Sequence, residues 1–326
     1  MFHWFLKKSR TVKKNLFLLL FLVITLNFAK HLFQSPNKLS ESTSIVIKPG
    51  MRLSEISDLL YDKKIIENKF IFKIWIKLNS LERKLKFGEF FFERKDSVIQ
   101  VANKLYLGEF IYRKITIIEG SFKYDLISKL NFIDPDTKIT IEDIPDGIVA
   151  NTYNYHTTDD AERILENIIK LSNGYSAKIW DNRERTIPIK NISEMFTLAS
   201  IVEKETALKK EKPKIAGVFY NRLKKKMRLQ SDPTVEFSIT RGKKKLNRKL
   251  YKKDLKFKSE YNTYVNHGLP PSAICFPGLE SLRAVSRPYH SNFFYFVSKN
   301  LRGEHFFSTN YKEHLENIKA AKNAKK

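Results

Sequence analysis

The chain has 326 residues, of which 42% are hydrophobic and 13% aromatic, and 60 Lys and Arg against 35 Asp and Glu give a net charge of +25. This length and composition suit about two globular domains, each with a core of ordinary size. The single cysteine, Cys275, excludes an intramolecular disulfide, and without a CxxC or HExxH motif we expect neither a metal nor a cofactor.

The positive charge is concentrated in one segment. Residues 209–258 contain 19 Lys and Arg but 4 Asp and Glu. Such a segment could bind nucleic acid, anionic lipid or an acidic polymer, or it could reflect a Lys-rich composition that decorates solvated faces. No nucleic-acid-binding module accompanies the charge, so we expect no nucleic-acid partner.

The N-terminus predicts a membrane anchor. Residues 1–15 are basic, and an apolar run of 11 residues from Leu16 to Leu26 reaches about 18 residues if it extends to Phe33. No convincing cleavage site follows, which favours an uncleaved signal anchor over residues 16–33, with the basic flank in the cytoplasm. The alternative is a buried N-terminal helix of a cytosolic protein. Residues 34–44 are polar and form a linker.

Residues 45–120 predict a small α+β module. A short strand at Ile45–Ile47 and a Pro49–Gly50 turn precede an amphipathic helix with Ser54 as a plausible N-cap. A second segment of strand, turn and helix follows. In it, Asp96 or Ser97 caps a helix that runs through Leu105. The segment IYRKITIIEG then alternates like a strand.

Residues 121–192 form a connecting region with less information. The segments SFKYDLISKLNF and AERILENIIKLSNGYSAKIW are typical of helices, and the intervening DPDTKITIEDIPDG is rich in turn formers. No chemistry is predicted for this region.

The segment LASIVEKETA places two carboxylates, Glu203 and Glu205, where the apolar pattern indicates core. We predict a helix from Glu194 to about Lys210, with Ser193 as its N-cap. Residues two apart on a helix point about 200° apart. The two carboxylates therefore cannot serve one cleft as a pair.

Glu205 lies on the apolar side of this predicted helix. It follows Leu198 by seven residues and Ile201 by four, and it precedes Leu208 by three. A carboxyl group among such side chains would be desolvated, and its raised pKa would keep it protonated near neutral pH, as a general acid requires. The alternative is a solvated helix end carrying Glu–Lys pairs, which the motif taken alone favours.

The segments that follow add polar and aromatic groups. A second helix is predicted from Ile215 to about Lys225, and Pro233 indicates an irregular segment after it. A proline-stiffened loop over residues 261–278 offers aromatic faces and fixed backbone groups at little entropic cost. The segment FFYFVSKNLRGEHFFS predicts a β-hairpin with Arg302–Gly303 at its turn.

Six motifs in this order resemble the endolytic murein transglycosylase family, which is also called YceG-like: ASIVEKET, IAGVFYNRL, MRLQSDPTV, YNTY, GLPPSAI and PGLESLRAV. The resemblance is strong over residues 193–326 and looser over 45–192. It implies a LysM-like module at 45–120 and a mixed α/β catalytic domain at 193–326.

The resemblance implies a membrane-anchored enzyme that cuts nascent peptidoglycan strands internally and leaves 1,6-anhydro-muramyl ends. The family's catalytic glutamate falls on Glu205, in agreement with the helical phase. The implied setting is the bacterial inner membrane, with an extracytoplasmic catalytic domain and with peptidoglycan synthases and division or elongation proteins as candidate partners. Candidate substrate-binding residues are Glu203, Gln230, Asp232, Thr234, Tyr261, Asn262, Thr263 and Tyr264.

Two alternatives belong to other classes of protein. A glycoside hydrolase would use Glu205 together with Asp232, because ordinary glycosidases need two carboxylates. A non-catalytic cell-wall-binding scaffold would use neither.

Overall fold

The structure is a computed structural model that describes residues 2–36, 41–299 and 303–323. It contains both helices and strands, in line with the expected α+β class. By internal contacts the chain forms two compact units, the first made of Met1–Arg113 and Tyr155–Thr158 and the second of Lys114–Asn154 and Asp159–Lys326. The regions predicted as connecting (121–192) and catalytic (193–326) fall almost wholly within the second unit.

The first unit contains α1 (Phe2–Gln34), β1 (Thr43–Ile47), α2 (Leu53–Asp62), α3 (Lys69–Leu78), β2 (Gly88–Phe92) and α4 (Val98–Leu107). β1 and β2 pair antiparallel, with Thr43 opposite Phe92 and Ile47 opposite Gly88. Helices α2, α3 and α4 bury their apolar faces in one core with the inward side chains of this two-stranded sheet.

The predicted strand at Ile45–Ile47 is confirmed as part of β1. Ser54 as N-cap is wrong. α2 begins one residue before it, at Leu53, because the Arg52 N–H donates to the Glu55 carboxylate at 2.6 Å and closes the first turn there. The sequence also missed α3, a separate helix whose N-cap Asn68 accepts from the backbone of Phe70 and Ile71.

Of the two candidate caps for α4, Ser97 is confirmed, with Gln100 completing a capping box. Asp96 instead accepts from the Glu93 N–H at 2.7 Å and from Lys104 at 2.6 Å.

Within α1, the segment Lys14–Gln34 is the one candidate among the described residues that is long and apolar enough to cross a membrane. The aromatic ring of Phe33, near its end, lies 4.9 Å from that of Trp75 on α3.

The second unit contains the two-stranded sheet of β3 (Arg113–Thr116) and β4 (Thr152–Tyr155), whose terminal residues Arg113 and Tyr155 are assigned to the first unit. The helices are α5 (Lys123–Ile133), α6 (Ala161–Asp181), α7 (Ile192–Glu205), α8 (Lys212–Lys224), α9 (Asp232–Thr240), α10 (Leu279–Ser286) and α11 (Tyr311–Asn323). α7 lies at the centre of this core and packs against α8 and α10. The predicted helices in 121–132 and 161–180 are confirmed as α5 and α6.

The predicted hairpin is confirmed as β5 (Tyr295–Ser298) paired antiparallel with β6 (His305–Ser308). Of its predicted turn, Gly303 has a φ of 78°, the left-handed conformation that glycine adopts readily, whereas Arg302 lies outside the described residues.

The predicted bounds of the central helix are wrong at both ends. α7 begins at Ile192, after Asn191, whose side chain accepts from the Glu194 N–H, so Ser193 is not the cap. α7 ends at Glu205, five residues before Lys210. Thr206 is extended, with a φ of −149°, and its hydroxyl accepts from the Leu208 N–H at 3.1 Å. Leu208 therefore does not lie one helical turn beyond Glu205.

Candidate active site

Glu205 is the last residue of α7, whose apolar side chains from Met195 to Val202 are buried. The Ser231 hydroxyl donates a hydrogen bond of 2.5 Å to Glu205 Oε1. Burial raises the pKa of Glu205 to about 7, the Ser231 bond and the Arg222 charge oppose that rise, and the charge of Asp232 adds to it. The sequence-based expectation of a desolvated carboxyl group thus fits this geometry, although Leu208 is not its helical neighbour.

Ser231 is held in place by the loop that contains Thr263. The Ser231 N–H donates to Thr263 Oγ1 at 3.0 Å, and the Gln230 N–H donates to the Thr263 carbonyl at 3.1 Å. Thr234 Oγ1 lies 2.8 Å from Thr263 Oγ1 and donates to the Ser231 carbonyl at 2.7 Å. Thr234 and Thr263 are buried in this network, so they support the site from behind rather than face solvent.

Gln230 is exposed and has a φ of 51°, a conformation that costs about 1 kcal/mol for a residue other than glycine. Backbone strain of this kind concentrates at functional sites, where the surroundings impose it. Here the Thr263 carbonyl and the buried Ser231 impose it. The strained backbone brings the Ser231 hydroxyl against Glu205.

Asp232 opens α9 and is exposed. Its Oδ1 accepts a hydrogen bond of 2.6 Å from the Tyr264 hydroxyl, and burial is the main reason that the pKa of Tyr264 is raised. The two residues form a polar rim beside the half-buried Glu205. The predicted irregular segment is present at residues 227–231, but Pro233 lies beyond it, in the first turn of α9, where a proline needs no N–H partner.

Arg222 on α8 is a buried cation that was not among the residues predicted for the site. Its Nε donates to the Phe294 carbonyl and its Nη1 to the Leu229 carbonyl, both at 2.7 Å, and its guanidinium lies 5.4 Å from the Tyr295 ring centroid. A sequence signal for this role was present, because Arg222 is a charged residue on the apolar stripe of the helix predicted from Ile215 to about Lys225. Its charge favours the ionised form of Glu205 and so lowers the pKa of that group.

Glu203 points to a different set of partners. It accepts from Lys212 Nζ at 2.7 Å, from the Gly278 N–H at 2.9 Å and from the Ser281 hydroxyl at 2.6 Å. The side chains of Glu203 and Lys212 are only 5% and 2% exposed. This buried network joins α7 to α8 and to the start of α10. The two carboxylates of the motif therefore bind separate sets of partners.

Asn262 is completely buried and donates to the carbonyls of Leu255 and Phe257 at 3.1 and 2.8 Å, so its amide fixes the loop rather than facing solvent. Tyr261 is partly buried, and its hydroxyl lies 2.9 Å from Ser272 Oγ. The Tyr261 ring borders a cavity of about 270 Å³. Other lining residues are Phe122, Lys123, Ile141, Phe237, Arg241 and Phe276.

The second unit thus brings Glu205 together with Ser231, Asp232, Tyr264 and Arg222, and it directs Glu203 elsewhere. Within the described part of the chain, no group of three or more His, Cys, Asp or Glu side chains is placed to hold a metal ion. The arrangement can donate one proton near neutral pH and take it back, because the acid is single, desolvated and hydrogen-bonded.

Glu205, a single desolvated acid at the end of a core helix, makes this a site suited to acid–base chemistry. Comparison with known sequences identifies the family. The model of the YceG-like family matches residues 45–320, so the chain belongs to the YceG-like family. This confirms the resemblance carried by the six motifs.

Two curated relatives share a name. An endolytic murein transglycosylase of Bacillus subtilis (strain 168) is 30% identical over 321 residues, which cover 88% of this chain and 87% of that protein. An endolytic murein transglycosylase of Streptococcus pneumoniae (strain ATCC BAA-255 / R6) is 35% identical over 145 residues, which cover 43% of this chain and 26% of that protein. A crystal structure of a YceG-like protein from Listeria monocytogenes aligns with a TM-score of 0.51 at 29% identity, covering 85% of this chain and 98% of that chain.

Proposed function

We propose that this protein is an endolytic peptidoglycan transglycosylase, a lyase that cleaves bonds between MurNAc and GlcNAc within nascent glycan strands. The name shared by the curated relatives supports this activity. The observation that carries it in this chain is Glu205, a carboxyl group whose pKa burial raises to about 7 and which the Ser231 hydroxyl orients.

One carboxyl group suffices for this reaction. Protonated Glu205 gives its proton to the glycosidic oxygen while the C1–O bond to GlcNAc breaks and positive charge develops on the muramyl ring. The resulting carboxylate takes the proton from the C6 hydroxyl of the same MurNAc, whose oxygen bonds to C1. Glu205 is then protonated again, and the product is a 1,6-anhydro sugar with no water added.

The tethered hydroxyl explains why no second carboxylate is required. An intramolecular nucleophile has a high effective concentration, which replaces a water activated by a second acid. We therefore assign Asp232 to substrate binding together with Tyr264. The Tyr264 hydroxyl donates a hydrogen bond to the Asp232 carboxylate. A sugar hydroxyl could use the remaining oxygen lone pairs of this exposed rim.

The other candidate binding residues divide by exposure. Gln230 is exposed next to Ser231 and is proposed to contact glycan, and Tyr261 is proposed to contact a sugar face or stem peptide from the adjacent cavity. Thr234, Asn262 and Thr263 are buried and are proposed to act by positioning these groups. The Glu203 network favours a structural role for that carboxylate instead of substrate contact.

We further propose that the segment Lys14–Gln34 anchors the chain in the bacterial inner membrane. The basic residues before it would stay in the cytoplasm by the positive-inside rule, leaving the remainder extracytoplasmic. Residues 45–120 are proposed as a LysM-like module and 193–326 as the region that carries the chemistry. Proteins of peptidoglycan synthesis and of division or elongation are proposed as partners.

The activity is tested by incubating the full chain in detergent with uncrosslinked glycan strands and weighing the products by mass spectrometry. We expect 1,6-anhydro ends from the wild type and from Glu203→Gln that has kept its fold, and none from Glu205→Gln. Products heavier by one water would indicate a hydrolase that uses Asp232. Full lytic activity of Glu205→Gln would refute the catalytic assignment.

A further inference from the structure

Helix α3 carries an apolar stripe on its solvent side. Phe70, Ile74 and Leu78 are 76%, 50% and 71% exposed, although they follow one another at intervals of four residues. At about 100° per residue they span about 80° of the helix surface. The opposite face already buries Phe72 and Ile76 in the core of the first unit. The stripe is therefore an additional apolar surface that the core does not use.

The stripe lies beside the end of the segment that could cross a membrane. Trp75, the residue after Ile74, has its ring 4.9 Å from that of Phe33, one residue before the end of α1. α1 also packs against α4 in the same unit. Because α1 contacts the Trp75 side of α3, the stripe occupies the face that adjoins this junction.

Lysines border the stripe on its other side. Lys73 and Lys77 lie about 60° and 20° from Phe70 around the helix, away from Trp75, and Lys77 is exposed. Lys69, the next basic residue on that side, pairs with Asp58 at 2.7 Å. An apolar stripe bordered by lysines is the arrangement of a helix that lies in the interface of a membrane with anionic lipids.

We propose that α3 docks on the surface of the bilayer in which α1 is anchored. The side chains of Phe70, Ile74 and Leu78 enter the boundary between headgroups and acyl chains, and Lys73 and Lys77 contact anionic headgroups. A lipid surface is favoured over a protein partner because the stripe adjoins the segment proposed to cross the membrane and because Lys73 and Lys77, which border it, are positive. This inference rests on the proposed membrane anchor but not on the proposed catalytic activity.

The test uses the full chain reconstituted in nanodiscs, with Ile74→Cys carrying an environment-sensitive fluorophore. Cys275 is buried, and labelling of the wild-type chain measures its background. Phe132→Cys, at a position that is 88% exposed on α5, is the matched control. Quenching is measured with brominated lipid and, separately, with aqueous iodide.

In discs that contain anionic lipid, we expect the label at position 74 to be quenched by brominated lipid and shielded from iodide, whereas the label at position 132 shows the reverse. Lys73→Glu and Lys77→Glu should each lower the ratio of docked to undocked protein at least about fivefold, since one basic residue near an anionic surface contributes about that factor. Discs of zwitterionic lipid should weaken docking in the same direction.

Three results would overturn the proposal. If both labels are equally open to iodide in anionic discs, α3 does not dock. If the label at position 74 is shielded from iodide and from brominated lipid alike, protein covers the stripe, for example a second copy of the chain. If the chain does not enter the discs at all, the anchor and the docking fail together, while cleavage of glycan by the same preparation still reports the catalytic proposal separately.

Discussion

The hydrogen bond from Ser231 to Glu205 opposes the rise in pKa that desolvation of the carboxyl group causes. Glu205 must be protonated when substrate binds, so kcat/KM should fall as the pH rises through its pKa of about 7. Ser231→Ala removes a bond that favours the carboxylate, so the pKa should rise. We expect the descending limb of the pH profile to move upward by up to about one pH unit.

Ser238→Ala is the control for this variant. Ser238 lies on α9 and is buried, as Ser231 is. The Ser238 hydroxyl donates to the Thr234 carbonyl at 2.7 Å rather than to Glu205. The limb should keep its position in Ser238→Ala. A downward shift in Ser231→Ala would mean that the hydroxyl does not stabilise the ionised form of Glu205.

The raised pKa of Glu205 also links folding to pH. A carboxyl group with a folded-state pKa of about 7 against an ordinary 4.5 stabilises the fold fully below pH 4.5, and this contribution is lost as the pH rises through 7. Glutamine does not titrate. We therefore expect the stability of Glu205→Gln relative to the wild type to rise with pH. The difference between their free energies of unfolding, variant minus wild type, should be on the order of 2 to 3 kcal/mol larger at pH 8 than at pH 4.

Denaturant unfolding of the full chain in detergent at several pH values measures this difference. Glu82→Gln, at an exposed position, provides the comparison and should show no comparable growth of the difference with pH. Parallel stability curves for the wild type and Glu205→Gln would contradict a desolvated acid.

At the scale of the helices, two glycines in helical backbone should respond to alanine in opposite directions. A Cβ on Gly217 of α8 would lie 2.3 Å from the backbone carbonyl oxygen of Tyr289, whereas one on Gly174 of α6 would meet no atom within 4 Å. Gly217→Ala should destabilise the fold by about 1–3 kcal/mol or more through overpacking. Gly174→Ala should stabilise it by about 0.5–1 kcal/mol, since alanine favours helix.

The pair is compared by thermal unfolding at one pH. No loss of stability in Gly217→Ala would contradict the close approach of Gly217 to the Tyr289 carbonyl, and a loss in Gly174→Ala would contradict the open space around Gly174.

The helical phase of LASIVEKETA was enough to predict that Glu203 and Glu205 separate. It was not enough to locate the end of α7, because the stop depends on Thr206, whose side chain binds the backbone ahead of it. Apolar periodicity continues through such a stop. Pro233 misled for a related reason, since a proline that breaks one helix is equally suited to begin another.

The partners of Glu205 come from distant segments, which local patterns do not report. Ser231 is 26 residues away and is itself held by Thr263, 32 residues further along. Arg222 is placed by carbonyls of Leu229 and Phe294. The sequence therefore indicated a desolvated Glu205 but not that Ser231 and Arg222 would lower its pKa.

At the scale of the whole molecule, the charge of +25 should govern binding to the cell wall. Stem peptides of peptidoglycan carry carboxylates, and the lysines at 224–226 and 243–245 are exposed. Raising the salt from about 0.05 M to about 0.5 M should weaken binding of the full chain to purified sacculi about tenfold or more, because exposed charges are screened.

The triple variant with glutamate at positions 243, 244 and 245 should bind weakly already at low salt. Lys312→Glu, an exposed lysine on α11, is the control and should bind like the wild type. If binding to sacculi did not change with salt, these exposed lysines would not contribute to it through their charge.

Glu205 can act as the acid only if it is protonated when the glycan arrives, and infrared difference spectroscopy of the full chain measures that protonation directly. The carboxyl band that is present in the wild type and absent in Glu205→Gln should titrate with a pKa near 7. A midpoint near 4.5, the value of an exposed glutamate, would contradict the account, because the acid would then be ionised when the glycan arrives.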